Sequence, residues 1–396
     1  MDILVIGGTG PTGPFIVNGL VERGHRVTIL HTGRHEVDSL PPESVVAHLH
    51  ADPFDRDSFL GAISGRNFDV VFAMYGRLRM LVDELVGRTP RLFSIGGVPV
   101  YPGYSNDADR FPAGMRLGAA ETEAFAPLGG YEERSIAELA ESGGRSDKVS
   151  KIVASEAMVF ERHPDATHFR YPYIYGPNQV VPKEWSVVKR ALDGRRHLIL
   201  ADGGRTLETA AYVENVAHAV LGAVDHVDIS AGRVYNVGDD ELYCRRQVAE
   251  IVAEELGHHF EIVNLPAEVA RPAYPSLAHH STQHRVVDTS RIRHELGYRD
   301  LVSPLEALRR TVRWQAVHLV SQHDKVVKML QDPFDYDAED ALIARYHQFV
   351  ADCAAVPFAR EPGYSRAFYG PIDNPGTEWS RRRPTGQQHR DLPGIT

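Results

Sequence analysis

Cysteine is nearly absent: the 396 residues include only Cys244 and Cys353. That excludes a disulfide framework and agrees with a reducing, cytoplasmic setting. Long apolar runs are also missing. The opening Ile3-Leu4-Val5-Ile6 runs straight into glycines, too short for a signal peptide, and no stretch nears the ~18 residues a membrane span needs. Basic residues are outnumbered, 43 Lys and Arg against 53 Asp and Glu, for a net charge of −10. Such a chain repels polyanions, so neither nucleic acid nor membrane is an expected partner. Histidines number 20, yet no His-x-x-x-His pair falls on a convincing helix with carboxylate support, and no metal site is expected.

What is present is an ordinary globular composition, 43% hydrophobic and 24% charged. Short β-branched and aliphatic runs alternate with helical patterns. Strands are expected at Asp2–Ile6, Arg26–Leu30, Val45–His50, Asp69–Met74, Arg91–Ile95, Thr167–Tyr173 and Arg233–Val237. Helices are expected at Pro14–Arg23, Ser150–Arg162, Val213–Val224, Gln247–Leu256 and Ser303–Val317. This alternation implies an α/β fold, a Rossmann-type doubly wound parallel sheet with right-handed crossovers. The division expected is a dinucleotide-binding core over 1–177, to which 213–240 return, a smaller C-terminal substrate lobe over 178–212 and 241–330, and a C-terminal extension over 331–396. Within the extension a helix is expected near Asp337–Ala351, then a loosely structured tail rich in Pro, Gly and Arg.

The strongest motif is Gly7-Gly8-Thr9-Gly10-Pro11-Thr12-Gly13, between a strand and a helix. Gly7 suits a tight turn, Gly10 lets backbone approach a pyrophosphate, and Gly13 permits close helix packing. Thr12 and the amides of the helix start complete a phosphate site. The end of the second strand reads the ribose: an acid there binds a 2′-hydroxyl, a nearby Arg a 2′-phosphate. The chain has His31-Thr32-Gly33-Arg34, with no acid, so Thr32 and Arg34 favour NADP over NAD. Asp52, ending the third strand, is positioned either for the adenine amino group or as a turn cap.

On these glycines, and on Arg170-Tyr171-Pro172-Tyr173-Ile174-Tyr175-Gly176-Pro177, Tyr212-Val213-Glu214-Asn215, Tyr235-Asn236-Val237-Gly238 and Asp288-Thr289-Ser290 ahead of Glu295-Leu296-Gly297-Tyr298, the sequence resembles the extended short-chain dehydrogenase/reductase superfamily of epimerase and dehydratase type. It looks most like the atypical branch that includes chloroplast stem-loop-binding proteins and bacterial reductases. The resemblance spans about 1–316 and implies a Rossmann core, a nicotinamide cofactor and a catalytic Tyr-x-x-x-Lys. Here Lys151 keeps the lysine, expected at the cofactor ribose, but Asp147 stands in the tyrosine slot. The family's catalytic hydroxyl falls on Gly97, and Ser94 lies three residues early. Tyr101, beyond the fifth strand, is the leading substitute proton carrier, its pKa lowered by Lys151; Tyr75 and Tyr131 are alternatives, and Asp147 is the competing base. Tyr171 and Tyr173, alternating with Tyr175 along one strand, are expected to wall the nicotinamide pocket.

Sugar-nucleotide members of the superfamily hold substrate phosphates with an arginine where this chain has Glu208. An acid repels a diphosphate unless Arg205 compensates from a shifted position, so a small organic substrate without a nucleotide handle is expected. A redox enzyme is favoured over a regulatory dinucleotide-binding protein, and both over an RNA-binding relative. The resemblance also implies a homodimer through the helix carrying Lys151, with Ile152, Val153, Ala157 and Phe160 as its apolar positions. Arg190, Arg195, Arg196 and His197 read as a solvated basic cluster.

Overall fold

The computed structural model describes residues 1–33, 37, 39–73, 78–127 and 145–359, without the side chains of 145–147. Two compact units are distinguished, 1–343 and 344–396. The first contains a seven-stranded sheet, every strand pair parallel. Its strands are β1 (Asp2–Ile6), β2 (Arg26–His31), β3 (Ala47–His50), β4 (Val70–Ala73), β5 (Arg91–Gly97), β6 (Thr167–Tyr171) and β10 (Arg233–Asn236). The order is β10-β6-β5-β4-β1-β2-β3, which reverses direction between β1 and β4. A ligand crevice belongs at that switch point, outside the strands' carboxyl ends.

The sheet is covered on both faces, which explains why β1, β2 and β4 read as nearly continuous apolar runs. One face packs Ile3, Val5, Ile29 and Phe72 against α1 (Gly13–Glu22) and the helix Val213–Asp225. The other packs Leu4, Ile6, Leu30 and Val71 against α2 (Arg56–Ala62), α3 (Leu78–Glu84) and α4 (Arg145–Arg162). A separate core forms the lobe, where Trp185, Val188, Val252 and Val312 join α5 (Trp185–Leu192), α7 (Arg245–Glu255) and α9 (Pro304–His318). Between them in the chain lie α6, the helix Val213–Asp225 already met, and α8 (Ser290–Leu296).

Three expectations change. The strand expected over Thr167–Tyr173 is two strands. Pro172 lacks an N–H and cannot continue a ladder, so β6 ends at Tyr171, and β7 (Tyr173–Tyr175) instead pairs with β9 (Ala210–Tyr212) in a small second sheet. A third sheet, the parallel pair of β8 (His197–Ala201) with β11 (Glu261–Leu265), was not foreseen. Arg190 is not solvated: it is buried and bonds Asp332 Oδ2 at 2.8 Å and Glu339. Removing either acid from such a site leaves an uncompensated charge, so the segment just beyond Leu330 is fastened to the lobe; the tail expected beyond the helix lies mostly outside the described residues. The helix expected in the extension runs Tyr336–Ala354.

Candidate functional site

Backbone builds the first part of the site. Gly7 follows β1 with φ +90°, a conformation that disfavours any side chain, and its N–H donates to Leu30 O at 2.9 Å. Gly13 sits so close to Gly8 that a Cβ there would lie 2.1 Å from the Gly8 carbonyl oxygen. Gly10 faces the opposite situation: a Cβ would meet nothing nearer than Gly7 O at 3.9 Å, leaving open space above the loop. Thr12 N-caps α1, and the Pro14 ring occupies the first turn, where a missing N–H costs little. Tyr171, at the end of β6, stands near the Thr12 side chain with its hydroxyl making no hydrogen bond among the described residues, and burial pushes its pKa up. The loop, Thr12 and Tyr171 therefore meet at the carboxyl end of the sheet.

At the end of β2, His31 is buried and Gly33 turns the chain with φ +70°. Thr32 lies between them, and Arg34 lies outside the described residues. Asp52 acts as a turn cap: its Oδ1 accepts from Phe54 N at 2.9 Å.

Tyr101 has a different setting from the one expected. It is 1% exposed, donates to Asn236 Oδ1 at 2.7 Å and accepts from Arg170 Nη1 at 2.8 Å. Arg170 in turn makes a two-pronged bond to Glu156, at 3.0 and 2.6 Å. Burial pushes the Tyr101 hydroxyl up to about 12, against the pull of Arg170. The expected lowering by Lys151 is thus reversed: an enclosed phenol loses solvation of its anion faster than one guanidinium, already committed to Glu156, can restore it. Ser94 is also enclosed, its Oγ 2.7 Å from His168 Nδ1, while His168 Nε2 lies 3.3 Å from Glu156. Burial opposes ionisation of Glu156, yet His168 and Arg170 hold it down to about 2.

Lys151 is half-buried on α4, and position 147 lies one turn earlier in the same helix. Tyr75 and Tyr131 lie outside the described residues. Ile152 and Val153, expected at a subunit contact, are buried in their own chain against Val98, Val100, Tyr101 and Met115. Ala157 and Phe160 are half-buried.

Tyr173 and Tyr175 leave the sheet end with β7 and do not join Tyr171. Tyr173 accepts from Lys183 N at 3.0 Å and Gln179 Nε2 at 2.8 Å, with Lys183 Nζ 4.2 Å from its ring centre. Tyr175 donates to Asp239 Oδ2 at 2.7 Å. Both line a small cavity of about 30 Å³ with Glu184, Glu208, Asp239 and Arg245, room for a water or two. Glu208 is not a bare acid. Lys183 Nζ bonds it at 2.7 Å and Arg245 binds the same oxygen. Burial resists its ionisation, but these cations hold it down to about 2. Its charge is therefore largely neutralised, which weakens the repulsion expected against an anionic substrate. Sequence reading missed this triad, because its members lie at 183, 208 and 245 with no common spacing.

No protein-family model matches the chain. Among curated proteins it is 28% identical over 314 residues to a 3-diazoavenalumate denitrifying reductase of Streptomyces, covering 76% of this chain and 96% of that protein. It is 24% identical over 322 residues to the Arabidopsis thaliana chloroplast stem-loop binding protein of 41 kDa b, covering 77% of each. Among solved structures, a Thermotoga maritima UDP-glucose 4-epimerase with UDP-glucose superposes with a TM-score of 0.59 at 19% identity, over 79% of this chain and 98% of that one. A Bacillus anthracis dTDP-glucose 4,6-dehydratase in complex with NAD gives 0.57 at 16%, over 81% and 98%. These likenesses show the fold: the chain shares the fold of the epimerase and dehydratase structures it superposes on.

Proposed function

We propose that the protein is an NADP-dependent oxidoreductase, or a redox-assisted isomerase or dehydratase, acting on a small organic metabolite. The observation that carries this reading is the glycine loop at the sheet's switch point. Gly13 admits no Cβ, and the space above Gly10 is clear of protein within 3.9 Å of where its Cβ would stand. Those features fit a pyrophosphate on the start of α1, with Gly7, Gly10, Thr12 and Gly13 as its cradle and Tyr171 and Lys151 further along the same crevice. When bound, the dinucleotide supplies hydride transfer. Support for NADP comes from the strand end itself, where β2 closes on His31 and is followed by Thr32 and Gly33, with no acid, ahead of Arg34. A relative named as a reductase and a neighbour in complex with NAD support the redox class.

Lys151 orients the substrate end of the crevice and offers a cation to developing negative charge. Proton transfer falls to Asp147, in the slot the superfamily gives to tyrosine. Tyr101, with both hydroxyl partners fixed and its pKa near 12, belongs to the framework beneath. The protein works in the cytoplasm as a homodimer, but through surfaces other than Ile152 and Val153.

The test is nicotinamide absorbance against a panel of small aldehydes and ketones. Asp147→Asn should lose ~10²–10⁴ in turnover with dinucleotide affinity kept, and Lys151→Ala should lose as much with dinucleotide affinity weakened too, while folded Tyr101→Phe turns over within severalfold of wild type. A large loss in Tyr101→Phe alone, with Asp147→Asn unaffected, returns the proton to Tyr101. Full activity in all three variants removes the site assignment.

A further inference from the structure

Beyond the glycine loop, three histidines meet at the outer edge of the same sheet end. His31 closes β2, and His48 and His50 close β3. Register sets His31 beside His50, and residues two apart on a strand share a face, so His48 joins them. One ring nitrogen from each lies within 4.8 Å of the other two. The ring centres are 4.8 Å apart for His31 and His50, 5.2 Å for His31 and His48, and 6.4 Å for His48 and His50. Among the described residues no other three such side chains converge in this way.

We propose that His31, His48 and His50 form a binding site for a divalent transition-metal ion of the zinc, cobalt and nickel class. Neutral imidazoles are the ligands this class prefers over calcium or magnesium, which seek oxygen. Geometry agrees. Zinc–nitrogen bonds of 2.0–2.1 Å at a tetrahedral centre hold two ligand nitrogens ~3.3 Å apart, and His31 Nε2 stands 3.1 Å from His48 Nδ1. The turn behind the cluster is fitted to it: a Cβ at Gly33 would meet His50 Cδ2 at 3.5 Å, and Gly33 N donates to His31 Nδ1 at 3.3 Å. Metal binding exchanges the His31–His48 hydrogen bond for two coordinate bonds. The His31 proton then moves to Nδ1, and the long Gly33 bond is released.

Cobalt(II) chloride titrated into the full chain, stripped of metal by chelator and free of dinucleotide, reads the site through its visible absorption. One equivalent should bind, with the intense bands of a four-coordinate ion, and zinc should displace it. His50→Ala and His48→Ala should each weaken binding by about tenfold or more; His294→Ala, at an exposed position elsewhere, should not. His50 is exposed, so that variant keeps the wild-type fold by circular dichroism and decides the matter even where His48→Ala misfolds. No saturable cobalt band, or an unchanged band and affinity in His50→Ala, overturns the proposal.

Discussion

The glycine loop and the buried ionic networks are opposite ways of making a site. At the loop, side chains are removed: Gly7, Gly10 and Gly13 give a turn, an opening and a close approach, all from contiguous sequence. In the lobe, Glu208, Lys183 and Arg245 make an interior from charge, and beneath β5 and β6 the set of Tyr101, Arg170, Glu156 and His168 does the same. The first arrangement is intolerant of a single added carbon. The second is intolerant of losing any partner, because each remaining ion is then buried alone.

Glu208→Gln is the sharpest test of that contrast. It leaves Lys183 and Arg245 enclosed without their counter-ion and should cost about 3–5 kcal/mol in denaturant unfolding, while the part that remains folded still binds dinucleotide. Equal losses of stability and dinucleotide affinity would dissolve the distinction. The same acid predicts a pH response. Glu208 and Glu156 sit near 2 when folded against an ordinary 4.5, so their stabilisation is full above about pH 4.5 and is lost as pH falls toward 2. Asp239 runs the other way. Burial raises it from 3.8 to about 6, so its contribution is present below pH 3.8 and lost as pH rises through 6. Unfolding midpoints across this range should fall steeply on the acid side, and less steeply in Glu208→Gln.

Gly13→Ala tests the other half. Relief of a 2.1 Å approach to Gly8 requires the loop to open, at about 1–3 kcal/mol of stability, and dinucleotide affinity should fall by more than that stability loss implies. Tyr101→Phe should cost a similar amount of stability and spare the dinucleotide. It deprives Asn236 and Arg170 of one bond each, for about 1–3 kcal/mol, visible as a lower melting temperature with dinucleotide affinity unchanged.

The same contrast explains what was legible. Gly7 through Gly13 could be placed on a strand, a turn and a helix because the motif is local and its glycines are dictated by backbone. The parallel sheet followed from alternation, and the helix in the extension was placed within a few residues. Partners distant in sequence were not legible. Nothing at Glu208 announces Lys183 and Arg245, nothing at Arg190 announces Asp332 and Glu339, and the three histidines lie on strands rather than at helical spacing. Tyr101 was misjudged electrostatically for the same reason: its position beyond β5 suggested the crevice, while Arg170 and Asn236, from β6 and β10, enclose it. Tyr173 parts from Tyr171 because nothing in an otherwise alternating run marks the break at Pro172.

The central claim is a dinucleotide site built on the glycine loop, with NADP preferred. Titrating NADPH and NADH by intrinsic fluorescence into wild type, Gly13→Ala and Arg34→Ala tests it most directly. The account predicts saturable binding with NADPH tighter, a collapse of both affinities in Gly13→Ala, and a loss of ~1–2 kcal/mol for NADPH alone in Arg34→Ala. A folded wild-type chain that binds neither dinucleotide, or Gly13→Ala binding as wild type does, would contradict it.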